Sequence, residues 1–305
     1  MDVIKFKDAN GQWHTIPSAG PAGKSAYELA VSQGYAGTLD EWLATLHGGN
    51  DNLLDNWDFR APINQRGVTT HWAAKQYGLD RWILDIGTCI VGSGGITLNS
   101  VLAQRMEALG ATWPLNGRVM TVSIMLADGT IQSGQLVPSG TQTVTAQIGG
   151  ITVGMYNEAQ SWKVLNLNTN GVTITIAAVK LELGTVGTLA QDPPMDYGAE
   201  LLRCLRYALA YDTIERVRAC VCSTNYIDFH VATPVPLRIV PSIEQNAMKI
   251  IPLNGGTAVD GFAFSILGRT ASYLRVRATK TAHGLTDAVL ELASVGTRTV
   301  FTADL

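Results

Sequence analysis

The densest run of chemically able side chains lies between residues 52 and 82. Asn52-Leu53-Leu54-Asp55-Asn56-Trp57-Asp58-Phe59-Arg60-Ala61-Pro62-Ile63-Asn64-Gln65-Arg66-Gly67 is followed by Trp72, Tyr77, Asp80, Arg81 and Trp82. Aromatic faces beside planar amides, carboxylates and guanidinium groups are what a sugar site requires, because ring CH groups stack on the aromatic and hydroxyls need paired hydrogen-bond partners. Trp57, Arg60, Asn64, Gln65, Arg66, Trp72, Tyr77, Asp80, Arg81 and Trp82 are therefore candidate glycan-binding residues. The same residues support a structural reading. Arg60, Arg66 and Arg81 would pair with Asp55, Asp58 and Asp80 to pin a strand and its loop, while Trp57 and Trp82 fill a core. Glycoside hydrolysis is a further alternative, since it needs two carboxylates about 5–10 Å apart across a cleft. Asp55, Asp58, Asp80 and Asp85 are the carboxylates at hand, but Asp at strand ends usually makes turns and caps. No catalytic residue is assigned, and the chain is not expected to be an enzyme.

Other motifs carry less. Gly23-Lys24-Ser25 copies the end of a phosphate-binding loop, yet Ser18 stands where the first glycine belongs and Ser25 reads equally well as a helix cap. Gly92-Ser93-Gly94-Gly95 lacks dinucleotide-binding order and leads into Ile96-Thr97-Leu98, so it reads as a turn between strands. His14, His47, His71, His230 and His283 are scattered singly, and no bound metal or cofactor is expected. Cys89, Cys204, Cys220 and Cys222 are too few for a disulfide scaffold and read as mostly buried thiols.

The elements that must position these residues follow from composition and punctuation. The chain has 305 residues, of which 46% are apolar and 15% charged, with a net charge of -3. That balance fits neither a disordered chain nor a protein that tracks nucleic-acid phosphates. Met1-Asp2-Val3-Ile4-Lys5-Phe6-Lys7 has no apolar targeting run, and no stretch is long enough to span a bilayer. A soluble protein made in the cytosol, with no membrane insertion, is expected.

Ile4 to Ile16 alternates around Asp8-Ala9-Asn10-Gly11 and reads as a β-hairpin, which is marginal alone and must dock on something. Ser18 to Gly23 reads as a linker. Ser25 with Glu28, and Thr38 with Glu41, form capping-box patterns that open two short helices. Leu39, Trp42, Leu43 and Leu46 share one face of the second helix, too much apolar surface for so short a segment to bury by itself. From Asn52 to about Ala190 the pattern is short strands separated by Asp128-Gly129, Gly149-Gly150 and Asn170-Gly171, with a short rim helix predicted over Val101 to Leu109. A helix is predicted over Asp196 to Tyr211. Further strands are predicted over Arg216 to Ser223, Tyr226 to Val231, Leu237 to Val240, Phe262 to Leu267 and Ser272 to Ala278.

The predicted fold class is mainly β: an N-terminal hairpin and a two-helix linker, then two β-sandwich or jelly-roll-like domains joined by one α-helix. The predicted boundaries are residues 1–19, 20–50, 51–192 and 193–305.

Gly23-Lys24-Ser25-Ala26-Tyr27-Glu28-Leu29-Ala30, continued through Gly34-Tyr35-Ala36-Gly37-Thr38 to Glu41-Trp42-Leu43-Ala44-Thr45-Leu46, resembles a helical linker recurrent in bacteriophage tail-fibre and appendage proteins. Asn52 to Gly67 with Asp80-Arg81-Trp82 resembles the opening of the carbohydrate-binding-module-like β-sandwich of such proteins. Lys180 to Gly184 is similar to its last strand, Tyr197 to Tyr207 to the helix that follows, and Val300 to Leu305 to its terminal strands. The resemblance implies a virion fibre, commonly a homotrimer, made in the host bacterial cytoplasm. Ile4, Phe6, Trp13 and Ile16 would anchor it on a tail, baseplate or capsid protein, and Tyr27, Leu39, Trp42, Leu43 and Leu46 would form a trimeric neck. Its β-domains would contact host surface polysaccharide. A head decoration or connecting protein without a receptor is the alternative, and a polysaccharide depolymerase a lesser one.

Overall fold

The computed structural model describes residues 5–7, 12–15, 25–34, 36–39, 42, 51–71, 75–107, 115–139, 143–158, 162–213, 215–253, 257–293 and 296–304. The chain divides into two compact units, Met1–Gly49 and Asn50–Leu305. Among the described residues no helix is long and apolar enough to cross a membrane.

In the first unit, β1 (Lys5–Lys7) and β2 (Trp13–Thr15) pair antiparallel with Phe6 opposite His14, the expected hairpin. Helix α1 (Ala26–Ser32) opens on the expected capping box. Ser25 Oγ accepts from the Glu28 N–H at 3.2 Å, and Glu28 Oε2 accepts from the Ser25 N–H at 2.7 Å. These bonds, the one to the Ser25 backbone foremost, hold the Glu28 carboxyl below its ordinary value. The Trp42 N–H bonds the Thr38 carbonyl at 3.0 Å, a helical turn at the start of the second predicted helix. Tyr27 donates its hydroxyl to the Gly37 carbonyl, and its ring lies 5.9 Å from that of Trp42. Ile4, Ile16, Leu43 and Leu46 fall outside the described residues, as does Trp72 of the candidate glycan set.

The second unit begins with a two-sheet sandwich. Its strands are β3 (Thr70–His71), β4 (Gln76–Tyr77), β5 (Trp82–Ile86), β6 (Cys89–Gly92), β7 (Gly95–Leu98), β8 (Val101–Glu107) and β9 (Met120–Leu126). They continue with β10 (Ile131–Leu136), β11 (Val144–Ile148), β12 (Ile151–Glu158), β13 (Trp162–Asn168) and β14 (Ile174–Leu183). One six-stranded sheet has the order β10-β9-β14-β7-β6-β3 and the other β11-β12-β13-β8-β5-β4, so the chain repeatedly crosses between layers. Gly149-Gly150 and Asn170-Gly171 all take positive φ, as the predicted tight turns require. Gly92 to Gly95 is the turn of the β6–β7 hairpin. The core between the sheets gathers Leu54, Phe59, Trp82, Ile96, Val122, Val153, Leu165 and Leu181. Residues 52–59 lie along β14 through bonds such as Leu53 N–H to the Leu181 carbonyl at 2.8 Å and Phe59 N–H to the Ala177 carbonyl at 2.9 Å. The run that opens the domain is thereby stitched to the strand that closes it.

The rim helix predicted at Val101 is instead the central strand β8, paired with β5 and β13. Val101, Leu102, Ala103 and Gln104 are all buried because both faces of this strand are covered. A strand covered on both sides loses the period-two signal and reads like a helix.

Helix α2 (Tyr197–Leu205) starts at Asp196, whose carboxylate accepts from the Ala199 N–H at 3.0 Å. It is followed by β15 (Ala208–Tyr211), β16 (Arg216–Arg218), β17 (Cys220–Val221), β18 (Tyr226–Ala232), β19 (Ser242–Gln245) and β20 (Lys249–Pro252). The last strands are β21 (Ala263–Arg269), β22 (Tyr273–Thr279), β23 (Ala288–Glu291) and β24 (Thr299–Thr302). They form three small sheets, β15-β24-β19, β16-β23-β20 and β17-β18-β22-β21, around a second core that includes Phe229, Ile250, Leu274, Leu290 and Phe301. The helix predicted to Tyr211 stops at Leu205, since Ala208–Tyr211 finds a ladder partner in β24 that overrides its helix propensity. Leu237 to Val240 is not a strand. Pro234, Pro236 and Pro241 around it have no N–H to give a ladder.

Candidate functional site

The predicted cluster converges, but inward. Arg66 has no exposed side-chain surface. It donates through Nη1 to Asp80 at 2.9 Å, through Nη2 to Asp304 at 2.6 Å and to Thr302 at 3.2 Å, and through Nε to Glu244 at 3.0 Å. Arg81 is equally enclosed: Nε meets Asp55 at 3.0 Å, Nη2 the Arg105 carbonyl at 2.6 Å, and its plane stacks 3.5 Å from the Tyr207 ring centre. Asn56 takes φ +53°, which lets one amide serve three backbone groups. Its Nδ2 donates to the Ile63 and Asp80 carbonyls, each at 2.8 Å, and its Oδ1 accepts from the Ile63 N–H at 2.7 Å. The Asn56 N–H donates to Glu200 on α2 at 2.6 Å, and Trp82 Nε1 donates to the Asn56 carbonyl at 2.9 Å. Gln65 donates to the Ala208 carbonyl at 2.9 Å.

These contacts weld the sandwich to β15, β19, α2 and the C-terminal residues. Burial pushes the Asp80 carboxyl up to about 6 against the pull of Arg66. Burial also opposes the charge of Arg66, but Asp304, Glu244 and Asp80 outweigh it and hold the guanidinium above its ordinary value.

The candidate glycan residues are therefore split by the fold. Trp57, Arg66, Asp80, Arg81 and Trp82 are interior, and Trp82 meets Phe59 edge-on at 5.1 Å between ring centres. They present no face to an external sugar, because the sandwich closes over them and the C-terminal strands cap their polar ends. Arg60 is exposed but forks onto Asp58 at 2.8 and 2.7 Å. Asn64 is tied to Val68 by two bonds, and Gln65 and Tyr77 are half-buried. The four carboxylates considered for hydrolysis each sit in a different ion pair: Asp55 with Arg81, Asp58 with Arg60, Asp80 with Arg66 and Asp85 with Lys75.

An aromatic, guanidinium and carboxylate array of the predicted kind does reach the surface elsewhere, on the outer face of β17-β18-β22-β21. Along β18, Ile227, Phe229 and Val231 face the core while Tyr226, Asp228 and His230 alternate with them, Asp228 itself being buried; along β22, Leu274, Val276 and Ala278 are buried and Tyr273, Arg275 and Arg277 alternate. The register sets Asp228 opposite both Arg277 and Cys220, and His230 opposite Arg275. Asp228 accepts from Arg277 Nε at 2.7 Å and Nη2 at 2.9 Å, and from Arg275 Nη2 at 2.7 Å. The bond from Arg277 is the chief reason its carboxyl lies below the ordinary value. The Arg277 guanidinium is 3.9 Å from the Tyr226 ring centre, and His230 and Tyr273 pack at 4.7 Å.

Arg218, Cys220, Cys222, Asp228, His230 and Arg275 line a hollow of about 520 Å³ on this face. The side chain of Arg218 is exposed and makes no hydrogen bond or ion pair with any described residue. Cys220 and Cys222 are also exposed, their sulfurs 3.4 Å apart, contrary to the expectation of buried thiols that Cys89 and Cys204 fulfil. The signal for this face lay in Tyr226-x-Asp228-x-His230 and Tyr273-x-Arg275-x-Arg277. The strand pattern of both runs is legible in the sequence, but the pairing that lines up their outer positions is set by the β18–β22 register. Among the described residues no group of three metal-ligating side chains gathers.

Comparison of the chain with protein-family models, curated protein sequences and solved structures finds no match.

Proposed function

We propose that this chain is a structural fibre subunit of a bacteriophage particle, a homotrimer that attaches by its N-terminal hairpin and contacts host surface glycans with its C-terminal β-region. The observation that carries the reading is the open outer face of β17-β18-β22-β21, where Tyr226, Tyr273 and His230 stand among Arg275 and Arg277, with Arg218 of the adjacent strand β16 lining the same hollow. Aromatic platforms beside fixed polar groups suit sugar rings and their hydroxyls. Single sugar sites are weak, and display of several on one rigid particle raises avidity without new contacts. The first unit supports the trimeric neck, since α1 buries none of its residues and Leu29, Val31 and Leu39 stand exposed.

The test is an electron-microscopy reconstruction of the particle that carries this protein. A threefold appendage with residues 196–304 outermost is the expected result. A copy enclosed between other subunits would overturn receptor contact. One observation favours a second reading, a decoration or connecting protein without a receptor: the Trp57 to Trp82 cluster is interior and braces the fold. A fibre on the capsid with no glycan binding would select it.

A further inference from the structure

We infer that the hollow lined by Arg218, Asp228, His230 and Arg275 is a site for carboxylate-bearing saccharides of the uronate class, with Arg218 and Arg275 as the groups that grip the acid. This rests on the reading that the C-terminal sheet meets glycans, and it adds which glycans.

Three guanidinium groups, Arg275 and Arg277 on the sheet face and Arg218 on the neighbouring strand β16 at the rim of the hollow, stand beside the one carboxylate of Asp228, in a chain whose net charge is -3. Positive charge is thus concentrated locally against the overall balance, which draws in an anion. Asp228 is largely engaged, with three of its roughly four acceptor positions used: Oδ1 takes Arg277 Nε, and Oδ2 takes Arg277 Nη2 and Arg275 Nη2. It therefore serves to hold both arginines in place and is a poor acceptor for a sugar hydroxyl. Arg275 spends one terminal nitrogen on that bond and keeps Nε and Nη1, with half of its side-chain surface open. Arg218 keeps every donor. Arg277 already grips one planar carboxylate with its two-pronged edge; Arg218 offers the same kind of edge to a second, and Arg275 adds single charged donors beside it.

The neighbouring rings indicate what carries that acid. Tyr273 and Arg275 are two residues apart on β22 and so share a face, and His230, opposite Arg275, packs on Tyr273 at 4.7 Å. A pyranose stacked on this pair would place a carboxylate attached directly to its ring beside Arg275. Neutral sugars would leave the guanidinium donors with hydroxyl partners only, which are weaker than charge-assisted bonds.

Titration calorimetry on the full chain, with trigalacturonate, its methyl ester and phosphorylated mannotriose as probes, tests the inference. Trigalacturonate should bind about tenfold more tightly than the uncharged ester and lose that advantage at about 0.5 M salt. Arg218→Gln should abolish the preference with its thermal unfolding unchanged, because Arg218 holds nothing else in place; Arg275→Gln should weaken it as well. Equal binding of acid and ester, a preference that survives in both variants, or tighter binding of the phosphorylated probe would overturn the inference. Competition by the soluble chain for adsorption of the particle to its host separates this from the broader reading. Competition without a uronate preference removes the inference alone, whereas absence of competition removes glycan contact itself.

Discussion

Arg66 illustrates how a residue suited to ligand recognition becomes structural when its partners are supplied from within. Its three carboxylate partners are Asp80 from the turn before β5, Glu244 from β19 and Asp304 from beyond β24. Replacing it leaves Asp80 buried without its counter-charge and Asp304 with Arg81 alone, so Arg66→Ala should lower stability by about 3–5 kcal/mol in urea unfolding. A loss under about 1 kcal/mol would mean that the acids are hydrated in solution. Asp80 makes a pH prediction of definite sign. Its folded value of about 6 exceeds the ordinary 3.8, so the stability it contributes is complete below the lower value and is lost as pH rises through the higher one. The melting temperature should fall between about pH 4 and pH 6, and Asp80→Asn should flatten that part of the profile. Calorimetry on both proteins checks it; an identical slope in the variant would assign the titration to another group.

At the scale of elements, the hairpin β6–β7 depends on a close backbone approach. Gly95 has φ +129°, and a Cβ there would overlap the Ile176 carbonyl on β14. Gly95→Ala should therefore cost at least about 2 kcal/mol through strain and displacement of β14, read as a lower denaturation midpoint. Gly94→Ala, where nothing lies within contact of a Cβ, is the control. Strands with one wet face were legible from alternation, as β18 and β22 show. The doubly covered β8 was not, because burial on both sides erases the alternation.

For the whole molecule, the predicted seam near residue 192 separates two hydrophobic cores but not two independent bodies. Glu200, Tyr207, Glu244 and Asp304 complete the polar surroundings of Asn56, Arg66 and Arg81 across it. Residues 51–192 produced alone would expose or strand those charges, and should show lost near-ultraviolet dichroism or aggregation, whereas the full chain melts in one transition. A well-folded fragment would refute the coupling. The neck makes a prediction of its own. On the proposed trimer, Leu39→Asp or Trp42→Asp should give monomers in light scattering, since Leu39 stands exposed and Trp42 is only partly covered, packed on Tyr27. A trimer that persists would move the seam elsewhere.

By itself the sequence determined the β class, the hairpin, the Ser25 capping box, the tight turns and the positions of strands such as β9, β11, β18 and β22, because each rests on local backbone preference and side-chain period. It also brought together the residues that form the cluster around Arg66 and Arg81, at least those that lie between 52 and 82. Only the tertiary structure decided which way that cluster faces. Glu200, Glu244 and Asp304 arrive from distant parts of the chain to neutralise and enclose it, while the outer positions of β18 and β22 are left open. Burial depends on what packs against a residue, and the partners that cover Arg66 lie more than a hundred positions away in the chain.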